Sequence, residues 1–365
     1  MEYQEFKAII KEYIKEYLPI KYQKAKVEIK QVRKNNNVWK DGMSIRMPND
    51  NIGPTVYLND FFETYRVKKN LEEIMQSIAS AFVESEVDRP VSAEAIFNFR
   101  SAKDKIIFQA VGVKNNEEML NTVPHRKIND MAVIYRILIE KTEQGIGSIL
   151  IDDDIMKMLN MNEERLYNLA VENTQREFPS AFQSIETVMI DIIKKDLSGD
   201  LGDMPKELAD MMKDMMIQNL QESMRGKPHM YVLTNEQKTN GATALFYPDI
   251  QKEIADKLHG EYFVLPSSIH EVLIVPDTGE WDYHVLKEMV RDVNGTHVAP
   301  DEILTGQVYA YDKDIGKVIL AEEREQKRQI KSEKNHSIAD WLKEKTGEIG
   351  KNKDFGKKIV PEPAL

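Results

Sequence analysis

Two hydroxyls, an imidazole and a carboxylate fall within five residues of the segment 266-PSSIHEVLIVPD-277: Ser267, Ser268, His270 and Glu271, with Asp277, Asp282 and His284 just beyond. A serine near a histidine and an acid is the raw material of acyl transfer, in which the hydroxyl attacks, the imidazole takes its proton and the carboxylate orients the ring. That chemistry sets a geometric condition. On an extended chain Ser268 and His270 project to one face and Glu271 to the other, and residues two apart stand roughly 6–7 Å apart. A direct Ser268–His270 hydrogen bond therefore needs a turn, and no Gly-x-Ser-x-Gly elbow is present to expose the hydroxyl. The competing reading is structural: the serines bond turn backbone groups while His270 and Glu271 satisfy polar neighbours. Two apolar runs flank the segment, which puts it at a sheet end, where loops hold sites. Ser268, His270 and Glu271 are the catalytic candidates. Ser267, Asn240, Asp277 and His284 are candidates for binding.

Asp152, Asp153 and Asp154 follow an apolar run and could offer hard oxygen ligands to Mg²⁺ or Ca²⁺. Aspartates in the first turn of a helix also cap its free N–H groups and suit its dipole, and capping is the favoured reading. The spacing and closing Glu of a calcium-binding helix-loop-helix are absent. The seven histidines are scattered with no His-Glu-x-x-His, so no cofactor is predicted and metal is at most a weak candidate at 152–154. Gly145-Ile146-Gly147 lacks the further glycines of a phosphate loop. Met211, Met212, Met215, Met216 and Met224 lie on one predicted helix. An apolar stripe at helical spacing reads first as core and second as a contact for a partner or another copy, with Met212 and Met216 as candidate contacts. In the tail, Ser337 caps a short amphipathic helix that carries Ile338, Trp341 and Leu342 on one face, and Trp341 is a further binding candidate.

The chain has 365 residues, net charge −11 and no cysteine. Disulfides, thiolate zinc sites and cysteine nucleophiles are excluded, and a cytoplasmic location is expected. No apolar run is long enough for a membrane helix, and the first residues have no apolar stretch of secretory type. The acidic balance argues against nucleic acid, whose binding needs Lys and Arg at phosphates. The alternating basic residues from Lys21 to Lys34 read as a half-exposed strand. Residues 322–365 differ, with 11 Lys or Arg against 9 Asp or Glu.

The elements needed to position these residues can be read from periodicity. A helix is predicted from Glu2 to Leu18, a hairpin over Lys26–Val32 and Val38–Met47 turning at Asn35–Asn37, and a third strand at Thr55–Leu58. A helical stretch then runs from Asn59 to about Val87. Further on come a helix at Ala93–Phe99, strands at Lys105–Val111, Met131–Ile139 and Gly147–Ile151, and helices near 153–160, 163–176 and Phe182–Leu197. After the Met-rich helix, strands are predicted at Met230–Thr234, Thr243–Tyr247, Tyr262–Leu265, Glu271–Val275, Gln307–Tyr311 and Lys317–Ala321, with helices at Asp249–Leu258 and Tyr283–Val293. The closeness of the strands gives an α+β fold with antiparallel or mixed sheets and flanking helices. The segments are 1–90, 91–197, a Met-rich helical insertion at 198–228, 229–321, and a charged tail at 322–365 with a protruding helix followed by disorder.

Four stretches, 168-NLAVENT-174, 234-TNEQKTNGATALFYP-248, 262-YFVLPSSIHEVLIVPD-277 and 294-NGTHVAPDEILTGQVYAYD-312, resemble an uncharacterised protein family of Gram-positive anaerobes, particularly gut Clostridia. Pro-Ser-Ser-x-His-Glu looks like its hallmark, and the likeness to proteins of mobile elements implies an accessory role. The resemblance brings no catalytic residues to Ser268 or His270. Three expectations stand: a non-enzymatic binding or regulatory protein, a hydrolase using Ser268 and His270, and a divalent-metal enzyme at Asp152–Asp154.

Overall fold

The computed structural model describes residues 1–47, 54–85, 99–142, 145–196, 205–227, 229–331 and Glu333. The expected helices at Ala93–Phe99 and around Trp341 fall outside these residues, apart from Phe99, which begins a short helical turn. The fold is α+β, built on three antiparallel sheets.

In the first sheet β1 (Lys26–Arg33) and β2 (Trp39–Arg46) form the predicted hairpin, with Lys26 opposite Arg46 and Arg33 opposite Trp39, and β3 (Thr55–Tyr57) joins β2. Asn36 and Asn37 turn the chain at φ near +60°, a region Asn tolerates because its short side chain bonds locally. The helices Tyr3–Tyr13 and Leu71–Glu84 bury Phe6, Ile10, Ile74, Ile78 and Phe82 in a core that belongs to this unit alone. The single helix expected from Asn59 is two helices, because Lys69 turns left-handed and Asn70 caps the next helix by accepting the Glu73 N–H.

The second sheet centres on β6 (Met131–Thr142), flanked by β4 (Ile106–Gly112) on one side and by β5 (His125–Ile128) and β7 (Gly145–Leu150) on the other. Alternation on β4 and β6 divides their residues. Phe108, Ala110, Val133 and Tyr135 enter the main core, while Gln109 and Arg136 belong to the opposite face.

The third sheet has the order β13-β12-β10-β11-β9-β8, comprising β8 (Ser180–Ser184), β9 (Tyr231–Asn235), β10 (Tyr262–Leu265), β11 (Val272–Pro276), β12 (Tyr309–Asp312) and β13 (Lys317–Leu320). Two expectations need correction here. The helix placed at Phe182–Leu197 starts only at Ile185, because Ser180–Ser184 pair with β9. The strand placed at Thr243–Tyr247 is a 3-10 helix, Gly241–Phe246, whose first five residues are all buried; an apolar run without alternation does not distinguish the two.

Edge strand β4 is not left bare. Thr174 Oγ1 accepts the Phe108 N–H, Thr243 Oγ1 accepts the Ala110 N–H, and Asn173 donates to the Ile106 carbonyl. These side chains satisfy backbone groups that would otherwise sit unpaired in the interior, and they tie β4 to the helix Glu163–Glu177 and to the 3-10 helix Gly241–Phe246. The helix after β13 does not protrude at its start. Arg324 is 1% exposed, pairs with Asp277 at 2.8 Å and lies over the Phe263 ring.

Candidate functional site

A cavity of about 560 Å³ opens where the three sheets meet. That volume suits a small molecule, since ligand pockets run roughly 300–1,000 Å³. Each unit contributes one wall. The hairpin unit brings Arg33, Lys34 and Tyr57, the second sheet brings Gln109, Arg136 and Ser148, and the loops of the third sheet bring Asn240, His270, Asp301 and Glu302.

The third wall follows from how the connection between β10 and β11 is tied down. On one side Ile269 N–H donates to the Glu302 carbonyl, Leu304 N–H to Ser267 and Thr305 N–H to Pro266. On the other, Ala242 N–H donates to the Ile269 carbonyl and Thr234 Oγ1 to the His270 carbonyl. Gly241 passes through this junction, where a Cβ would run into Thr234 Oγ1, the His270 carbonyl and Asn235 N. Only glycine allows that approach.

Within this frame the serine and histidine do not face each other as nucleophile and base. Ser268 is buried, and its Oγ accepts the backbone N–H of His270 at 2.9 Å. The His270 ring is engaged elsewhere: Nδ1 accepts the Asn240 N–H at 3.2 Å, and Nε2 stands 3.4 Å from Glu302 Oε1. The acceptor role of Nδ1 puts the neutral ring's proton on Nε2, towards Glu302. Glu271 is partly buried and lies outside the cavity lining. Burial raises its carboxyl above the usual range, while His270 and a hydrogen bond with Ser268 pull it down. A chain of contacts does cross the cavity, from Gln109 Nε2 to Asn240 Oδ1 at 3.1 Å, then from the Asn240 N–H to His270 and on to Glu302.

Of the cations lining the cavity, Arg136 and Lys34 have no counter-charge among the described residues. Arg136 Nε donates to Ser148 Oγ at 2.7 Å and Nη2 to the Ser148 carbonyl, while Nη1 has no partner among the described residues. No carboxylate among them lies within ion-pair distance of Arg136, and burial lowers the guanidinium's pKa. Lys34 Nζ sits 4.2 Å from the centre of the Tyr57 ring, likewise without a carboxylate. Arg33 is paired with Glu118, and Asp301 with Lys40, which also reaches Asp60.

The other candidates lie elsewhere. Asp277 is at the far end of β11 from His270, held by Arg324 and Arg328. Asp282 caps the helix Tyr283–Thr296 by accepting the His284 N–H, and the His284 ring packs against Tyr283. Ser267 bonds to the site region through its carbonyl, which accepts from the Leu304 N–H. Asp152 caps the helix Asp153–Met158 through the Ile155 N–H, and Asp154 pairs with Lys157. Among the described residues no group of three or more His, Asp or Glu could hold a metal ion. The helix Lys206–Met224 contradicts the expectation of core: Met211 is 67% exposed, Met215 55% and Met216 42%, with Met212 half-buried. Trp341 falls outside the described residues.

Of the cavity residues, Asn240 and His270 were expected. Asp301 and Glu302 lie inside a quoted stretch without having been singled out. Arg136 and Gln109 left one signal, each being a lone polar residue in an otherwise apolar run, MAVIYRILI and IIFQAV. A polar residue placed among buried ones is more informative than an exposed apolar one.

No helix among the described residues is long and apolar enough to cross a membrane. No curated protein and no solved structure matches the chain. A family of unknown function, DUF5688, matches residues 3–313, so the chain belongs to that family.

Proposed function

We propose that the chain is a non-enzymatic binding protein that takes a small anionic ligand into the cavity between its three sheets. Arg136 carries this reading. A cation enclosed without a counter-charge is costly, and a ligand carboxylate or phosphate accepting from the free side of its guanidinium supplies the missing charge in the two-pronged geometry arginine favours. Lys34, also without a carboxylate among the described residues, adds a second positive group from the hairpin wall. In a chain of net charge −11, gathering unpaired cations in one cavity draws anions to that place rather than to the surface at large. The engagement of Ser268 with backbone and of the His270 ring with Asn240 and Glu302 favours binding over hydrolysis. The absence of cysteine fits a cytoplasmic setting, and an accessory role accords with the resemblance.

The test is thermal unfolding and calorimetry at low ionic strength with inorganic phosphate, sulfate and citrate. At least one of these is expected to raise the melting temperature of the wild-type protein, by about 2.7 kcal/mol of stabilisation at a hundredfold excess over Kd. Arg136→Met should abolish the response while leaving the protein as stable or more so, because an apolar chain replaces a half-buried charge that no carboxylate among the described residues pairs. No response to any anion, or a full response in Arg136→Met, overturns the reading.

A second reading, docking of another protein or a second copy, is favoured by the exposed row Met211, Met215 and Met216 beside Met189 and Ile192 of the neighbouring helix. Light scattering across a concentration series checks the self-association branch. A constant monomer mass removes it.

A further inference from the structure

The cavity has two ends of opposite character. At one, Arg136 and Lys34 stand without carboxylates among the described residues. At the other stand Glu302 and Asp301, the former facing His270 through one oxygen only, with no partner for the second among the described residues. Asp301 is 7% exposed and shares Lys40 with Asp60, so a single ammonium serves two acids there. Gln109, Asn240 and His270 span the distance between the ends through their hydrogen bonds to one another. All three line the cavity.

A ligand that is anionic throughout would place charge against Glu302 and Asp301, where like charges repel at short range. A ligand that matches both ends carries an acid group for Arg136 and an ammonium group for Glu302. We propose, on the basis of the anion-binding reading above, that the ligand is a zwitterion in which a carboxylate or phosphate and a primary amine are separated by a few carbon atoms. Its acid group docks on Arg136, with Lys34 adding positive charge at that end. Its amine donates to the free Glu302 oxygen, and Glu302 is the residue that tells amine-bearing ligands from their amine-free counterparts. His270, locked by Asn240, holds the Glu302 carboxylate in place.

Matched pairs of probes that differ in the amine test this directly: L-glutamate against glutarate, and phosphoethanolamine against ethyl phosphate, titrated by calorimetry into the full chain. The amine-bearing member of at least one pair is expected to bind about tenfold more tightly, equivalent to about 1.4 kcal/mol. Glu302→Gln should bring the two members of that pair together, and Arg136→Met should weaken both. Circular dichroism and the melting temperature of each variant report whether it has folded, and the pair comparison on the wild-type protein needs no variant. Pairs that bind with equal affinity, or amine-free members that bind more tightly, overturn the zwitterion and leave anion binding standing. Absence of binding by every member overturns the zwitterion, and the titration with phosphate, sulfate and citrate decides separately whether anion binding stands.

Discussion

The Ser268 hydroxyl accepts one partly buried backbone N–H and lies in a loop tied to two neighbouring segments. Ser268→Ala leaves the His270 N–H without its acceptor, which costs about 1–3 kcal/mol. The expected outcome is a lower urea midpoint with anion binding retained, because Ser268 does not line the cavity. A Ser268→Ala protein of unchanged stability that loses function would instead restore the nucleophile reading. The same residues show how much of the site could be read from sequence. The Pro-Ser-Ser-x-His-Glu segment marks the right place, because a dense run of polar residues between apolar strands must be satisfied somewhere. It does not reveal the partners, since Asn240 and Glu302 meet His270 only through long-range folding. Asp277 is a binding candidate in sequence, but strand length carries it to the opposite end of β11. Arg136 passed unnoticed because one charge inside a β-branched run reads as an exposed strand position.

Among the elements, strands with clear alternation and helices with caps were legible, and the short β5 and the 3-10 helix Gly241–Phe246 were not. Propensity is weak over four to six residues, where tertiary contacts decide. How the elements are joined is also invisible in sequence. Asp130, in the turn between β5 and β6, reaches across to the third sheet and accepts from the hydroxyls of Thr305 and Tyr309. Burial raises its carboxyl above the ordinary 3.8, against the lowering effect of the Thr305 hydrogen bond. Between the unfolded and folded values the folded state holds more protons. The stabilising contribution is therefore complete below about 3.8 and is lost as pH rises through the folded value. Asp130→Asn removes this titration. Its unfolding free energy should be flatter than that of the wild type from about pH 4 upwards, as measured by chemical denaturation at fixed pH steps. An unchanged slope would assign the pH dependence to other groups.

At the scale of the molecule, the hairpin unit has its own core and meets the rest largely through polar contacts, with the cavity between them. Asn36 is the most connected of these contacts. Its Nδ2 donates to the carbonyls of Pro300 and Ile303, its Oδ1 accepts from Asn116, and its N–H donates to Asn116 Oδ1. Asn36 thus joins the hairpin both to the segment following β4 and to the loop that holds Asp301 and Glu302. Asn36→Gly keeps the left-handed turn that φ +59° requires while removing every side-chain bond. Three side-chain hydrogen bonds are lost, and at about 0.5–1.5 kcal/mol each the junction loosens without unfolding either core. Hydrogen exchange should accelerate at residues 32–38 and 300–304, while the amides of β6 and β11 keep their wild-type protection. Because Lys34 and Arg33 ride on the hairpin and Glu302 on the loop, the same substitution should weaken probe binding even though Asn36 does not line the cavity. Uniform acceleration through β6 as well would mean that hairpin and sheets unfold as one cooperative unit, and wild-type affinity in the loosened protein would mean that the hairpin wall takes no part in binding.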